Sequence, residues 1–290
     1  SHIDIPRGAA NFKVFADMVK NVATEAFEMA TPDGTGALNY AVRRPKGVIG
    51  VISPWNLPLL LMTWKVGPAL ACGNTVVVKP SEETPTTTAL LGEVMKEAGV
   101  PDGVYNVVQG YGGDSAGAFL TAHPDVDGYT FTGETRTGEL IMQNAAKGVR
   151  DISLELGGKS PQIVFADADL ESAVNGIVAG IFAASGQSCV AGSRLLIHKD
   201  VYEPFITALA ERAARIKIGN PQADESEMGP MATAAQLAVV EDFVAKATAE
   251  GARLRLGGKR PDIEKGWYYE PTIFECNSNA DYLMQEEVFG

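Results

Sequence analysis

The chain has 290 residues, 46% of them hydrophobic and 21% charged, which is typical of a folded globular protein with one large or two ordinary domains. Its formal net charge of -12 argues against nucleic acid as a ligand, because that binding depends on lysines and arginines that neutralise phosphates. No apolar run approaches the ~20 residues that a membrane-spanning helix requires.

Cysteine and histidine are scarce in this sequence. The three cysteines, Cys72, Cys189 and Cys276, are too few and too scattered for a disulfide framework, and the three histidines show no metal-ligand spacing. We therefore expect no metal site and a reducing, cytoplasmic compartment. The sequence starts without an initiator methionine or a signal peptide and stops without a polar tail, which favours a fragment of a longer protein.

The N-terminal part predicts a helix followed by a hairpin. Apolar residues recur at helical spacing over residues 6–26, and residues 31–36 have the composition of a turn between two short alternating segments. A hairpin between a helix and a core strand has open edges, so residues 27–45 are predicted to pair with another chain.

Strand and helix patterns alternate regularly from residue 47 to residue 156. Strands are predicted at 47–52, 75–79, 104–109, 127–131 and 151–156, and helices at 57–71, 84–98, 114–122 and 135–146. Such alternation with short connections predicts an α/β fold with a mostly parallel sheet and helices on both faces. Ligands of such sheets bind at the carboxyl ends of the strands.

Strands and helices also alternate in the second half of the chain, but less regularly. Strands are predicted at 162–165, 194–198, 253–256 and 271–274, and helices at 168–184, 201–216 and 233–250. The best boundary between the two blocks is Gly157-Gly158.

Two segments have the composition of a covalent catalytic site. Cys189 lies among small residues and glycines, where a substrate can approach the backbone closely. Glu155 lies at an apolar strand end, directly before Gly157-Gly158, where a carboxylate is suited to act as a base near neutral pH. Taken alone, Cys189 is more readily explained as a small, buried and inert cysteine.

Other polar residues follow the predicted strands of the first half. Asn56 can aim its amide at a developing oxyanion, although turns also contain many asparagines. Lys79 and Glu82 can form hydrogen bonds with ribose hydroxyls. Alternatively, they form an exposed ion pair that contributes little to stability. Residues 129–138 end a strand and open a helix, whose N-terminus suits phosphate, but they contain no G-x-G-x-x-G pattern.

Taken together, these segments resemble the aldehyde dehydrogenase superfamily in order and spacing over essentially the whole chain. The motifs that carry the resemblance are Pro54-Trp55-Asn56, Gly67-Pro68-Ala69-Leu70-Ala71-Cys72-Gly73-Asn74, Lys79-Pro80-Ser81-Glu82, Phe131-Thr132-Gly133, Glu155-Leu156-Gly157-Gly158-Lys159, Gly186-Gln187-Ser188-Cys189 and Glu286-Glu287-Val288-Phe289-Gly290. The resemblance implies a Rossmann-type NAD-binding domain at 1–26 and 46–156, an oligomerisation hairpin at 27–45 and a catalytic domain at 157–290.

The resemblance also implies roles for individual residues. Cys189 matches the nucleophile that attacks the aldehyde, Asn56 and the Cys189 backbone N–H match the oxyanion hole, and Glu155 matches the base that activates water. Lys65 matches a lysine near the active site, and Glu82 favours NAD over NADP as the cofactor. The residues implied in cofactor binding are Ile52, Ser53, Trp55, Lys79, Ser81, Glu82, Gly112, Phe131, Gly133, Glu134, Leu156, Glu287 and Phe289.

One residue departs from the family pattern. Many relatives carry a small hydroxyl residue at the position of Glu134, and a carboxylate aimed at a pyrophosphate is repulsive. A carboxylate at a helix N-terminus can instead point outward and favour the helix dipole. We expect NAD to bind in spite of Glu134.

The substrate is narrowed by residues 4–12, 27–34 and 131–138, which look like 2-hydroxymuconic and 2-aminomuconic semialdehyde dehydrogenases of catechol meta-cleavage. Arg7 matches an arginine that binds the substrate carboxylate in those relatives, although a solvated surface charge is the more common fate of such a residue. The alternatives are a broad aliphatic or aromatic aldehyde dehydrogenase, transfer of the acyl group to coenzyme A, which Glu155 weighs against, and a non-catalytic structural relative. A homodimer or homotetramer is expected.

Overall fold

The computed structural model describes residues 3–290, which form two compact units, 3–156 and 157–290. The division falls directly before the predicted boundary at Gly157-Gly158. Residues 1 and 2, with His2, belong to the segment 1–26 that was assigned to the NAD-binding domain and lie outside the described residues.

The first unit begins with helix α1, Asp4–Val19, which is shorter than the predicted segment 6–26. The apolar repeat continues beyond Val19, but Val22 is 50% exposed and has no surface to pack on. A hairpin follows, with strand β1 at Ala26–Met29 and strand β2 at Ala37–Tyr40 in antiparallel register. The hairpin forms a two-stranded sheet of its own.

The core of the first unit is a five-stranded parallel sheet, as the alternating pattern predicted. Its strands are β3 (Val48–Ile52), β4 (Thr75–Lys79), β5 (Tyr105–Val107), β6 (Gly128–Thr132) and β7 (Asp151–Glu155), in the spatial order β5-β4-β3-β6-β7. The helices that follow the first four strands are α2 (Pro58–Ala71), α3 (Thr86–Glu97), α4 (Ala116–Ala122) and α5 (Thr135–Ala146).

Alternating side chains of this sheet enter two separate hydrophobic cores. On β4, Val76 and Val78 pack in a cluster with Met62 of α2 and Met95 of α3. Val77, between them, packs in a second cluster that contains Ile141 of α5. Because consecutive strand residues point to opposite faces, this division places helices on both faces of the sheet.

The second unit contains strands β8 (Pro161–Val164) and β9 (Arg194–Ile197), which pair in parallel, with helix α6 (Leu170–Phe182) between them. Helices α7 (Tyr202–Ala214) and α8 (Ala234–Ala249), the antiparallel strands β10 (Arg253–Leu256) and β11 (Ile273–Glu275) and the short helix α9 (Tyr282–Gln285) complete it. Phe205 of α7 is 1% exposed and packs against Val174 and Ile177 of α6.

Two further properties concern the described residues as a whole. Within residues 3–290, no helix combines the length and the apolar character needed to cross a membrane. Over the same range, no three histidine, cysteine, aspartate or glutamate side chains are grouped so that they could hold a metal ion.

Candidate active site

The parallel sheet of the first unit has one topological switch point, between β3 and β6. From β3 the chain proceeds to β4 and β5 on one side, whereas β6 and β7 lie on the other side. In open α/β sheets, ligands bind outside the carboxyl ends of the strands at such a point. The loop after β3, with Trp55 and Asn56, and the loop after β6, with Gly133 and Glu134, both start at this edge.

Three polar side chains are buried side by side at this edge. Lys79 ends β4, Ser53 follows β3 and Thr132 ends β6, and they are only 3%, 3% and 6% exposed. Strand register makes them neighbours, since Ile52 of β3 pairs with Lys79 and with Phe131, and the Ser53 N–H donates to the Lys79 carbonyl over 3.2 Å.

Two of these side chains have unused hydrogen-bonding capacity. Neither Ser53 Oγ nor Thr132 Oγ1 has a hydrogen-bond partner within the described part of the chain. Buried polar groups in folded proteins are almost always paired, so two orphans at a sheet edge are the expected mark of a ligand site. Thr132 belongs to the motif Phe131-Thr132-Gly133 but was not predicted to contact the cofactor. Its position at the end of a buried strand is the feature of the sequence that could have indicated such a contact.

Lys79 and Glu82, which were both predicted to contact the ribose, form an ion pair. Lys79 Nζ donates to the Pro80 carbonyl at 2.9 Å and to Glu82 Oε2 at 3.3 Å. The Lys79 side chain is 4% exposed and that of Glu82 is 41% exposed, so the alternative of an exposed surface ion pair is wrong for the lysine. Ser81, between them, is half-buried and its Oγ accepts from the Glu83 N–H at 3.3 Å.

The loop after β6 depends on Gly133. A Cβ atom there would lie 2.5 Å from Phe131 Cζ, a separation that no real side chain can adopt without displacing the ring. The Gly133 N–H donates to the Glu155 carbonyl at 3.1 Å, which fixes the loop to the end of β7. Leu156 follows β7 and contacts α5 so closely that a Cβ on Gly138 would be 2.6 Å from its Cδ2.

Gly112 lies beyond β5, in the exposed loop that leads to α4. Its carbonyl accepts from the Ala118 N–H at 2.8 Å, which connects this loop to the first turn of the helix. A side chain at Gly112 would meet no atom within 4 Å, and the backbone there is therefore open to solvent.

Helix α1 holds the start of α2 through a contact that was not predicted from the sequence. The buried Asp4 carboxylate accepts from the backbone N–H groups of Leu59 and Leu60 at 3.2 and 2.9 Å. These are donors that a helix N-terminus otherwise leaves unpaired. Arg7 lies on the same turn of α1 as Asp4 and is exposed. The acidic residue Asp4, three positions before Arg7, is the feature of the sequence that could have indicated this contact.

Glu155 is exposed, which corrects the expectation that it lies in apolar surroundings. β7 is an edge strand, and its residues alternate between half-buried Ile152 and Leu154 and exposed Asp151, Ser153 and Glu155. The apolar residues that suggested a desolvated carboxylate therefore belong to the opposite face of the strand.

Lys65 of α2 has a strongly lowered pKa. It is 5% exposed, and burial lowers its pKa from 10.5 to about 8, while attraction by the Glu155 carboxylate acts in the opposite direction. A lysine in this state exchanges its proton near neutral pH, which is a property that catalytic sites use.

Cys189 of the second unit lies after an unusual backbone segment. The single turn Ala183–Gly186 contains three consecutive residues in the left-handed region, with φ of 51° at Ala184, 55° at Ser185 and 74° at Gly186. Such a conformation costs about 1–2 kcal/mol for each residue other than glycine. Cys189 then occupies a turn closed by the Ala191 N–H and the Ser188 carbonyl at 3.0 Å, and it is half-buried.

Two polar side chains fix this segment, and their role was not foreseen. Ser185 Oγ donates to the Gly229 carbonyl at 2.9 Å. Gln187 Oε1 accepts from the Ala232 N–H at 2.8 Å. Both residues are buried. Their polar character inside a buried loop was the available signal, because a buried polar side chain requires a specific partner.

Glu287 and Phe289 are held close to the glycines of this unit. A Cβ on Gly157 would be 1.9 Å from Glu287 Oε2, and a Cβ on Gly186 would be 2.6 Å from the Gly290 carbonyl carbon. Gln236 Nε2 donates to the carbonyls of Val288 and Phe289 at 3.1 and 2.9 Å.

A cavity of about 670 Å³ lies within the second unit, and its lining includes Lys159, Ser188, Cys276, Glu287 and Phe289. Burial lowers the pKa of Lys159 from 10.5 to about 8, while attraction by the ionised form of Cys276 acts in the opposite direction. The cavity extends from Ser188, which directly precedes Cys189 in the chain, to Glu287 and Phe289.

Comparisons with known proteins add a family relationship to this geometry. The sequence model of the aldehyde dehydrogenase family matches residues 1–290. The chain is 61% identical over 294 residues to the 2-hydroxymuconic semialdehyde dehydrogenase of Pseudomonas sp. strain CF600, with 100% of this chain and 60% of that protein covered. It is 47% identical over 292 residues to a 2-aminomuconic 6-semialdehyde dehydrogenase of Pseudomonas sp., with 99% of this chain and 60% of that protein covered.

Solved structures show the same relationship. The aldehyde dehydrogenase of Bacillus cereus in complex with NAD+ matches with a TM-score of 0.94 and 40% identity, over 100% of this chain and 58% of that chain. The chain spans about 60% of the length of the curated relatives it matches.

Proposed function

The chain belongs to the aldehyde dehydrogenase family, and we propose that it carries the nucleophile, the base and the cofactor-binding residues of an enzyme that oxidises an aldehyde to a carboxylic acid with NAD. The observation that carries this proposal is the 61% identity, over the whole chain, to a 2-hydroxymuconic semialdehyde dehydrogenase. The arrangement within each unit supports it.

The switch point of the first unit fits a dinucleotide. Ser53 Oγ and Thr132 Oγ1 are buried without partners, and Gly133 leaves no room for a side chain beside Phe131. Lys79 and Glu82 offer an ammonium group and a carboxylate for ribose hydroxyls, and the carboxylate disfavours a 2′-phosphate. Bound NAD supplies a hydride acceptor, which converts an aldehyde adduct of the enzyme into a thioester.

The remaining residues proposed at the cofactor are Ile52, Trp55, Ser81, Gly112, Phe131, Glu134, Leu156, Glu287 and Phe289. They lie in or after strands of the parallel sheet, or they belong to the segment that ends the second unit.

The proposed first chemical step forms a bond between Cys189 Sγ and the aldehyde carbon. The thiolate donates the electron pair, and the carbonyl oxygen becomes an oxyanion in a thiohemiacetal. The side-chain amide of Asn56 and the backbone N–H of Cys189 donate hydrogen bonds to that oxygen, where negative charge develops. The backbone before Cys189 is pinned by Ser185 and Gln187, which limits the positions of the nucleophile.

The proposed second step hydrolyses the thioester. Glu155 accepts a proton from water, the hydroxide attacks the acyl carbon, and the C–S bond breaks to release the acid and the Cys189 thiolate. The exposure of Glu155 gives it direct access to water. The buried Lys65 ammonium lies close enough to attract the Glu155 carboxylate electrostatically.

The proposed substrate is a muconic semialdehyde, which carries a carboxylate at the end opposite the aldehyde. Arg7 is exposed on α1, and α1 is anchored to α2 through Asp4. A bidentate contact between a guanidinium and a carboxylate gives selectivity for such a substrate.

The hairpin is proposed to join subunits into a homodimer or homotetramer. Four apolar side chains on β1 and β2 are at least half exposed: Phe27 at 61%, Met29 at 51%, Leu38 at 65% and Tyr40 at 65%. Exposed edges and apolar side chains of this kind usually pair with another chain. The cytoplasmic location stays a prediction from cysteine usage.

Formation of NADH with a panel of substrates tests the activity and the substrate class together. Arg7→Ala should raise KM for 2-hydroxymuconic semialdehyde far more than KM for benzaldehyde or hexanal. Arg215→Ala, which removes another exposed arginine, is the matched control. An equal effect of Arg7→Ala on all three aldehydes would favour a broad-specificity enzyme.

Thiol chemistry separates the enzyme from a non-catalytic relative. Cys189→Ser should abolish NADH formation and remove one thiol that reacts rapidly and is protected by aldehyde, whereas Cys276→Ser, at another half-buried cysteine, should retain both properties. An unreactive Cys189 in the wild-type protein would support the structural alternative. Formation of an acyl-coenzyme A product when coenzyme A is added would support the acyl-transfer alternative.

A further inference from the structure

Glu134 occupies the N-cap position of α5, directly after Gly133 at the switch point of the sheet. Its backbone is extended, with φ of −64° and ψ of 141°, and its side chain makes no capping hydrogen bond. The side chain is exposed, and no salt bridge involves it within residues 3–290. Its negative charge is therefore not neutralised by a salt-bridge partner among the described residues.

The position of this charge matters because α5 begins there. The first N–H groups of the 12-residue helix, from Thr135 onward, have no partner inside the helix, and the helix dipole adds partial positive charge at the same end. Helix N-termini at the carboxyl edge of an α/β sheet are good binding sites for phosphate. Glu134 places a carboxylate where such an anion is favoured.

A second observation points to a ligand at the same edge. Ser53 and Thr132 are each at least 94% buried, and their hydroxyls have no hydrogen-bond partner among residues 3–290. Thr132 precedes Gly133 and Glu134 in the chain, so these two hydroxyls and the α5 N-terminus lie at the same switch point between β3 and β6. This is the place where an open α/β sheet forms its ligand crevice.

We propose that Glu134 limits the affinity of this crevice for dinucleotides. Its fixed negative charge opposes the pyrophosphate at the α5 N-terminus, weakens the binding of both NAD+ and NADH, and accelerates the release of the reduced product. This inference rests on the proposed function, because it assumes a dinucleotide ligand. The uncapped, exposed geometry of Glu134 supports it, since a carboxylate engaged in capping would have its charge partly neutralised.

Direct binding measured by titration calorimetry tests the inference without relying on catalysis. Glu134→Gln keeps the size of the side chain and removes the charge. We expect NAD+, NADH and ADP-ribose, which all contain a pyrophosphate, to bind about 2- to 5-fold more tightly, as one charge at an exposed helix N-terminus predicts. Adenosine, which has no phosphate, should bind with unchanged affinity. The gain should disappear at about 1 M salt, where the Debye length is about 3 Å.

Two further variants sharpen the test. Glu139→Gln removes another exposed carboxylate from the same helix and should leave all four affinities unchanged. Arg136→Gln removes an exposed cation from the first turn of α5 and should weaken binding of the three pyrophosphate ligands. Unchanged or weaker ADP-ribose binding by a Glu134→Gln protein with wild-type thermal stability would overturn the inference alone. A wild-type protein that binds neither NAD+ nor ADP-ribose would overturn the inference and the proposed function together.

Discussion

The two units position their candidate residues by different means. At the sheet edge of the first unit, strand register places Ser53, Lys79 and Thr132 side by side in ordinary extended backbone. In the second unit, Cys189 is placed by a turn with three successive left-handed residues. The register of these strands tolerates changes of side chain, because the backbone hydrogen bonds between the strands are kept. The turn is sensitive to the backbone itself, since each non-glycine residue there is held against its own preference.

The largest effect is expected at Glu155, which strand register places at the end of β7. Glu155→Gln should lower steady-state NADH formation by about 10²–10⁴-fold, the usual contribution of a general base. A first turnover of NADH should remain, because only hydrolysis of the thioester needs this base. Rapid mixing of enzyme with aldehyde and NAD measures that burst.

Asp151→Asn, at an exposed carboxylate on the same face of β7, is the control and should retain most of the activity. Loss of the burst together with the steady-state rate would show that Glu155 acts before the thioester forms.

A smaller effect is expected for the buried lysine of the same unit. Lys65→Met should stabilise the protein below pH 8, because the folded state no longer holds an ammonium group out of water. The folded pKa of Lys65 is about 8 and its ordinary value is 10.5, so between these values the unfolded state binds more protons than the folded state. The wild-type protein should therefore gain stability relative to the variant as the pH rises through this window, by on the order of 2 kcal/mol.

Denaturant unfolding from pH 7 to pH 10.5 measures this difference. Lys13→Met, at a lysine whose side chain is 81% exposed, should show no such trend. A difference between wild type and Lys65→Met that stays constant over this range would contradict the burial of a charged lysine.

The backbone dependence of the cysteine turn is tested by a pair of glycines in the second unit. Gly186 has φ of 74°, and an added Cβ would approach the backbone of Gly290 to 2.6 Å, so Gly186→Ala should destabilise the protein by at least about 1 kcal/mol. Gly176, inside α6, would bring a Cβ into open space, so Gly176→Ala should stabilise it by roughly 0.5–1 kcal/mol. A lower melting temperature for Gly186→Ala and a higher one for Gly176→Ala would support this dependence on the backbone of the turn. Equal shifts of the melting temperature in the two variants would contradict it.

The smallest effect concerns the orphaned hydroxyl at the sheet edge. Ser53→Ala should stabilise the ligand-free protein by about 1 kcal/mol, because a buried hydroxyl without a partner is removed. The same change should weaken NAD binding if the hydroxyl contacts the cofactor. Thr88→Val removes another orphaned buried hydroxyl, on α3, and should stabilise the protein without any effect on NAD binding. Equal effects of both variants on NAD affinity would remove Ser53 from the cofactor site.

The sequence was most informative where a periodic pattern coincided with a buried surface. The strand at Thr75–Lys79 and the helix at Thr135–Ala146 have the predicted bounds, because the β4 side chains enter two cores and α5 packs on one of them. The pattern was misleading where no partner surface exists. Helix α1 ends at Val19 rather than at residue 26, since the residues beyond it are exposed.

Glu155 shows a second limit of sequence reasoning. Its apolar neighbours in the chain suggested an apolar environment, but neighbours along a strand point to the opposite face. Whether that face is covered depends on which element packs there, and no local pattern contains this information.

By itself, the sequence determined the family, the α/β alternation and the motif residues, because these depend on residue identity and on local periodicity. Only the tertiary structure decided that Lys79 is buried, that Glu155 is exposed, and that Ser53 and Thr132 meet at a switch point. It also decided that Ala184, Ser185 and Gly186 adopt left-handed backbone before Cys189. The physical reason is that burial, hydrogen-bond partners and backbone strain arise from contacts between residues distant in the chain, which composition and spacing do not encode.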